Sequence, residues 1–233
     1  MNMTSDTAAR SRRVLLATGL VAAPVLMALG IGFEPAVPAH RVATFEVIAG
    51  QSGRYYLAVL ATIVGLGLLP VVGAAIAVLV QRRGRIAATW AAALFGIGGI
   101  AVAVGKGFQI MSWLEAAPGL AGYREAFAHL GDQVPFGAEV FFIAGSVTLL
   151  AAAILAAVAL WRSRVVPRWL AAGYGIAWVT GLFFTGDPGA GAALAVLPLL
   201  VISIPIALVL TRGTAVEPAA PPTGSRPAHR AAA

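Results

Sequence analysis

The polar residues that could do chemistry in this 233-residue chain gather in one stretch and at its borders. Lys106, Gln109 and Trp113 stand at i, i+3 and i+7, so a helix through them sets an amine, an amide and an indole on one face. Further on, Glu125 and His129 are one helical turn apart, and Glu139 opens the next apolar run. A cation, hydrogen-bonding groups and an aromatic plate suit a small ligand, and Lys106, Gln109, Trp113, His129 and Glu139 are the candidate ligand-binding residues. Two sharper readings compete. His40 and His129 with Glu125, Asp132 or Glu139 could hold a divalent metal, and Glu139 beside His129 could act as a general base at the membrane face. Neither has a diagnostic spacing, and two histidines in water-facing loops are more often merely solvated. No metal, cofactor or catalytic residue is therefore assigned, an enzyme is not the leading reading, and a solvated, anchoring cap is the default.

Lys106 is the single lysine of the chain, and Glu139 sits at the same boundary across one connection. A carboxylate in the first turn of a helix is favoured by the helix dipole, by ~0.3–1 kcal/mol when exposed. A lysine at a span end can extend its stem toward the headgroups. An ion pair between the two is the alternative, worthwhile if both point inward.

What is missing excludes more than what is present suggests. There is no cysteine, hence no disulfide framework, thiolate metal site or thiol chemistry. The middles of the apolar runs hold no Asp, Glu, Lys, Arg or His. Ion-coupled transporters, proton relays and voltage sensors need such groups there, and a membrane haem needs axial histidines. No His-Glu-x-x-His, P-loop, dinucleotide fingerprint or Gly-x-Ser-x-Gly elbow occurs. The formal charge of +7 is spread in small basic groups between apolar runs, which argues against a nucleic-acid partner.

The elements that must position these residues are membrane spans. Sixty per cent of the residues are hydrophobic and only 11% charged, with a mean hydropathy of +0.89, far too few charges for a soluble domain. Six runs, 14–33, 55–80, 86–105, 136–161, 169–186 and 190–211, approach the roughly 20 residues that cross a bilayer. Their lack of alternation excludes an outer-membrane barrel. The expected fold is all-α: a polytopic membrane protein with six transmembrane helices in a compact bundle and a short outer amphipathic helix at 123–130. Residues 1–13 form a cytoplasmic N-terminus, 14–212 the transmembrane domain, and 213–233 a Pro-rich, disordered cytoplasmic tail. The first run is read as a retained anchor rather than a cleaved signal peptide, because its apolar core is too long.

Orientation follows from the cations. Arg10, Arg12, Arg13, Arg82, Arg83, Arg85, Arg162, Arg164, Arg168, Arg212, Arg226 and Arg230 fall on one side, against Arg41, Arg54, Lys106 and Arg124 on the other. Both termini are therefore expected in the cytoplasm. Small residues at Gly173, Ala177 and Gly181 make a smooth stripe for a neighbouring helix, with weaker ones around Ala92 and Gly96 beside Gly98 and Gly99. Pro24, Pro70, Pro198 and Pro205 lie inside spans and invite kinks, which membrane helices generally tolerate.

Six spans, a basic turn after the second, and the phrase Trp161-Arg162-Ser163-Arg164-Val165-Val166-Pro167-Arg168 after the fourth resemble a bacterial family of six-helix membrane proteins, classed as a domain of unknown function. The resemblance implies the fold and a bacterial cytoplasmic membrane. It implies no activity, and no functional residues follow from it. From the residues themselves the leading reading is a protein that binds a small apolar molecule or lipid at an outward-facing site, permease-like or a sensory accessory. The alternatives are a structural subunit binding a membrane-protein partner and an outer-leaflet enzyme using Glu139 and His129.

Overall fold

The computed structural model describes residues 3–36, 41–133, 136–183 and 190–212. Among these residues every regular element is helical: α1 (Met3–Phe33), α2 (Arg41–Gly50), α3 (Ser52–Gly67), α4 (Leu69–Leu79), α5 (Arg85–Glu115), a 3-10 helix (Pro118–Tyr123), α6 (Arg124–Gln133), α7 (Phe136–Ser163), α8 (Arg168–Phe183) and α9 (Ala190–Arg212). A helix satisfies its backbone internally, which is what an apolar chain in lipid requires. Among the described residues five stretches are long and apolar enough to cross a membrane: Thr7–Phe33, Ser52–Leu79, Arg85–Glu115, Glu139–Ser163 and Gly191–Arg212. Helix α8 has 16 residues, short of the roughly 20 a crossing needs, and the expected span at 169–186 ends outside the described residues. The 213–233 tail lies outside them too.

Glycines set how the helices pair. A Cβ on Gly73 of α4 would lie 2.6 Å from the Cα of Ala92 on α5, and one on Gly99 would lie 2.7 Å from the Leu66 carbonyl oxygen. Position 73 thus meets 92 while the earlier Leu69 of α4, whose Cβ is 2.9 Å from that same point, meets the later 99, so α4 and α5 run antiparallel. The same logic pairs α1 with α3, through Gly30 against Ala58 and Thr62 and Gly65 against Met27 and Ala23. It pairs α5 with α7, through Gly98 against Leu149 and Gly145 against Val102. Backbones approach this closely only where no side chain intervenes, and dispersion between them then replaces a hydrophobic drive that lipid cannot supply. The expected stripe on α8 meets α9: Gly173 faces Ile202, and Gly181 faces the Ala195 carbonyl. On α5 the close contacts fall at Gly98 and Gly99, whereas Gly96 has only Pro70 at 4.0 Å.

The core these contacts enclose runs through Leu20, Leu69, Phe95, Leu149, Tyr174 and Trp178. Phe95 and Trp178 pack with ring centroids 5.0 Å apart. Thr62 and Ser203 are buried within it, and Thr62 donates its hydroxyl hydrogen to the Ala58 carbonyl one turn back, 3.0 Å away. Pro24, Pro198 and Pro205 lie inside unbroken α1 and α9. Pro70 instead marks a break. Helix α3 ends at Gly67, α4 starts at Leu69, and the amides of Val71 and Val72 both donate to the Leu68 carbonyl. Proline is comfortable in a first turn, where its missing N–H would be unpaired anyway.

The connection between the first two expected spans, 34–54, contains α2. Phe45 and Ile48, three residues apart, are buried with Tyr55, Val59, Ala116 and Ala128 in a second apolar cluster. The expected amphipathic helix at 123–130 is α6, starting at Arg124 after the 3-10 turn. It half-buries Phe127 on that cluster, and the Tyr123 ring lies beside Phe127 at 6.5 Å. Helices α2 and α6 thus cap one end of α3 and α5.

Candidate functional site

Under this cap lies the main polar cluster. Helix α1 ends at Phe33, and the Glu34 amide still donates to the Gly30 carbonyl, leaving the Glu34 side chain at the helix end. Helix α5 runs on from Gly105 to Glu115, which lifts Lys106 to the same level. Lys106 Nζ lies 2.9 Å from Glu34 Oε2, with the two side chains only 16% and 6% exposed. Charges so far from water are tolerated because each neutralises the other. The pair ties the end of α1 to the outward extension of α5. Around it the Tyr55 hydroxyl, on which the Glu34 carboxylate acts electrostatically, donates to the Gln109 carbonyl at 3.4 Å. The Tyr56 and Trp113 rings lie 4.9 Å apart. Arg54 donates from Nε to the Phe33 carbonyl and from a terminal nitrogen to Gln51 Oε1, both at 2.8 Å. A cation on the last carbonyls of α1 also suits that helix's dipole.

The structure therefore brings together Lys106, Gln109 and Trp113, on one face of α5 as their spacing requires. Gln109 Oε1 and Trp113 Nε1 are shielded from solvent and have no hydrogen-bond partner among the described residues. The other two candidates stand elsewhere. His129 is exposed on α6, and Glu139 is exposed in the first turn of α7. The sequence-based alternative of an ion pair between Lys106 and Glu139 is corrected: Lys106 is held by Glu34. Glu139 occupies the position where the α7 dipole favours a carboxylate.

Glu34 is the residue that the sequence reading overlooked as a partner. A usable signal was there: the one lysine and the one acid that directly ends the first span must lie at the same level if the spans alternate in direction. Among the described residues, no three of His, Asp and Glu gather where a metal could bind. His40 lies outside the described residues, and Asp132 belongs to α6 without a described side chain.

A second feature lies one to three turns along α7 from Glu139. An apolar groove of about 270 Å³ is lined by Phe142, Ile143, Ser146, Val147, Leu150 and Leu182. Ser146 is its one hydroxyl. Glu139 precedes Phe142 and Ile143 by three and four residues, so it stands on the same side of α7 at the polar end of the groove. The groove is apolar along its length, and Glu139 lies beyond its polar end.

No family of known proteins matches this sequence, and neither a curated protein nor a solved structure is detectably similar to it. The resemblance carried by the turn at 161–168 rests on those residues and the hydropathy pattern alone.

Proposed function

We propose that the chain is a multi-pass protein of a bacterial cytoplasmic membrane, with six spans, that binds a small apolar molecule or a lipid chain toward its outward-facing side. The observation carrying the reading is the α7–α8 groove, apolar along its length with one hydroxyl inside and a carboxylate one turn beyond. Such a mixture, mostly apolar with a few polar groups, is the usual make-up of a ligand site. The Glu34 and Lys106 pair and the α2–α6 cap serve as the fixed end of the scaffold rather than as the binding surface. In this reading α8 belongs to the fifth of the six spans. The arginine-rich end, with Arg82, Arg83, Arg162, Arg164 and Arg168, faces the cytoplasm by the positive-inside rule.

Two measurements test the proposal. Reporter fusions at Arg10 and at Gly213 should both report the cytoplasm; an external signal at either removes the six-span orientation. Native mass spectrometry of the gently purified protein should show a retained apolar molecule. Ser146→Trp, which fills the groove, should reduce its occupancy at least tenfold without unfolding the protein. Unchanged occupancy in a folded Ser146→Trp variant overturns the groove as the site.

A further inference from the structure

At the end of the molecule opposite the Lys106 pair, two turns press together. Gly84 precedes α5 with φ +93°, the left-handed region that favours glycine. A Cβ there would lie 2.8 Å from the Ala159 carbonyl oxygen on α7. The 80–84 turn is therefore seated directly on the end of α7 and carries Arg82 and Arg83 to it. The α7–α8 turn is fixed as well. Ser163 Oγ donates to the Leu160 carbonyl at 2.9 Å and accepts from the Val165 amide at 3.4 Å, while Arg164 takes a left-handed φ of 55°. The Arg168 guanidinium stands 5.5 Å from the centroid of the Trp161 ring, close enough for a cation–π contact.

The two turns enclose a cleft of about 420 Å³ lined by Arg83, Gly84, Trp161, Arg162, Arg164 and Arg168. Four guanidinium groups thus border one concavity, and none of them meets a carboxylate among the described residues. Counter-charge is scarce nearby. Of the nine acids in the chain, Glu34, just past α1, and Glu46, Glu115, Glu125 and Glu139, on α2, α5, α6 and α7, lie toward the other end, while Asp6 stands in the first turn of α1 at this end. Arginine is the side chain best shaped to hold a phosphate through paired N–H donors. Trp161 lines the cleft, Trp169 directly follows Arg168, and Ile86 and Trp90 stand in the first two turns of α5 after Gly84; all four are exposed, Trp169 by 70% and Ile86 by 77%. Exposed indoles at the end of an apolar span mark the headgroup level of a bilayer.

We infer that this cleft is a binding site for an anionic phospholipid: its phosphate lies among Arg83, Arg162, Arg164 and Arg168, and its chains run along the exposed Trp and Ile side chains. The arginines alone would take any phosphate. The exposed apolar side chains on the helices that carry these arginines are what select a phosphate attached to a lipid, and basic pockets between transmembrane helices are suited to such headgroups. The inference rests on the membrane-spanning reading above and not on the α7–α8 groove.

The test uses the purified full-length protein in neutral detergent, titrated with phosphatidylglycerol, phosphatidylcholine or sodium phosphate, with thermal unfolding and native mass spectrometry as readouts. Phosphatidylglycerol should raise Tm by several degrees more than either phosphatidylcholine or sodium phosphate. The triple variant Arg83→Gln/Arg164→Gln/Arg168→Gln should weaken the phosphatidylglycerol response on the order of a hundredfold, about fivefold for each arginine removed from an anionic lipid surface. Arg10→Gln/Arg12→Gln/Arg13→Gln, removing the same charge from α1, should change it by less than about threefold. If the cleft variant does not fold, competition between the two lipids for the wild-type protein in the mass spectrometer still decides. Equal retention of both lipids, equal stabilisation by free phosphate, or equal losses from the two triple variants would each overturn the site. Ser146→Trp separates this inference from the proposed function: phosphatidylglycerol preference should persist in it, and its disappearance would place the lipid in the groove instead.

Discussion

Lys106→Met is expected to destabilise the folded protein by about 3–5 kcal/mol, because it strands a buried carboxylate. Glu34 is 6% exposed on its side chain, so water cannot replace the lost ammonium without opening the cap. Glu34→Gln should cost less than Lys106→Met, because a neutral amide needs no counter-ion while the lysine, 16% exposed, can turn toward solvent. The double variant Lys106→Met/Glu34→Gln should be more stable than Lys106→Met alone, since with both charges removed neither is left stranded in the buried site. The measurement is reversible denaturant unfolding in detergent for the four proteins. Losses that add in the double variant would show that the two charges are not coupled. Lys106→Met/Glu139→Gln supplies the contrast: no rescue is expected from removing a carboxylate already exposed at a helix start.

The second large effect is expected at Gly73. The Cβ of any other residue would approach the Ala92 backbone at 2.6 Å from Cα and 3.0 Å from the carbonyl oxygen. Backbone atoms of a packed helix cannot swing aside as a side-chain tip can. Gly73→Val should therefore force α4 and α5 apart and cost at least about 3 kcal/mol, the upper range for overpacking a core. Gly96→Ala provides the internal control on the same pair of helices, because the new methyl group meets only Pro70 at 4.0 Å. It should stay within about 1 kcal/mol of the wild type, on the scale of the difference in helix propensity. Thermal unfolding and the yield of monodisperse protein read both variants. A Gly73→Val protein as stable as Gly96→Ala would mean that α4 and α5 do not approach this closely.

Helix content was legible in the residues because apolar runs without alternation have one outcome in lipid. The face shared by Lys106, Gln109 and Trp113 was legible for a related reason: spacing fixes angular position wherever the helix continues, and α5 does continue to Glu115. Partner choice was not. Nothing in local spacing says whether Lys106 meets Glu139, across one connection, or Glu34, 72 positions away; only the packing of α1 and α5 against their shared neighbour α3 decides. Helix α2 escaped notice because its polar and apolar residues alternate irregularly and its buried face consists of only Phe45 and Ile48. Small-residue stripes were half legible. In a chain with 27 glycines, repeats at four-residue spacing are abundant, and the contacts chose Gly98 and Gly99 over Gly96 for steric reasons that involve the neighbouring helix.

The chain carries one side-chain amine, and that amine is the buried partner in the strap between α1 and α5. Acylating reagents attack only an uncharged amine that solvent can reach, so modification at Lys106 must wait for the strap to open. The acylation rate at this single atom is therefore a clock for how often the capped end breathes. It needs no engineered label, and peptide mass alone identifies the product. Lipid, temperature and ligand can each be ranked by how far they slow it.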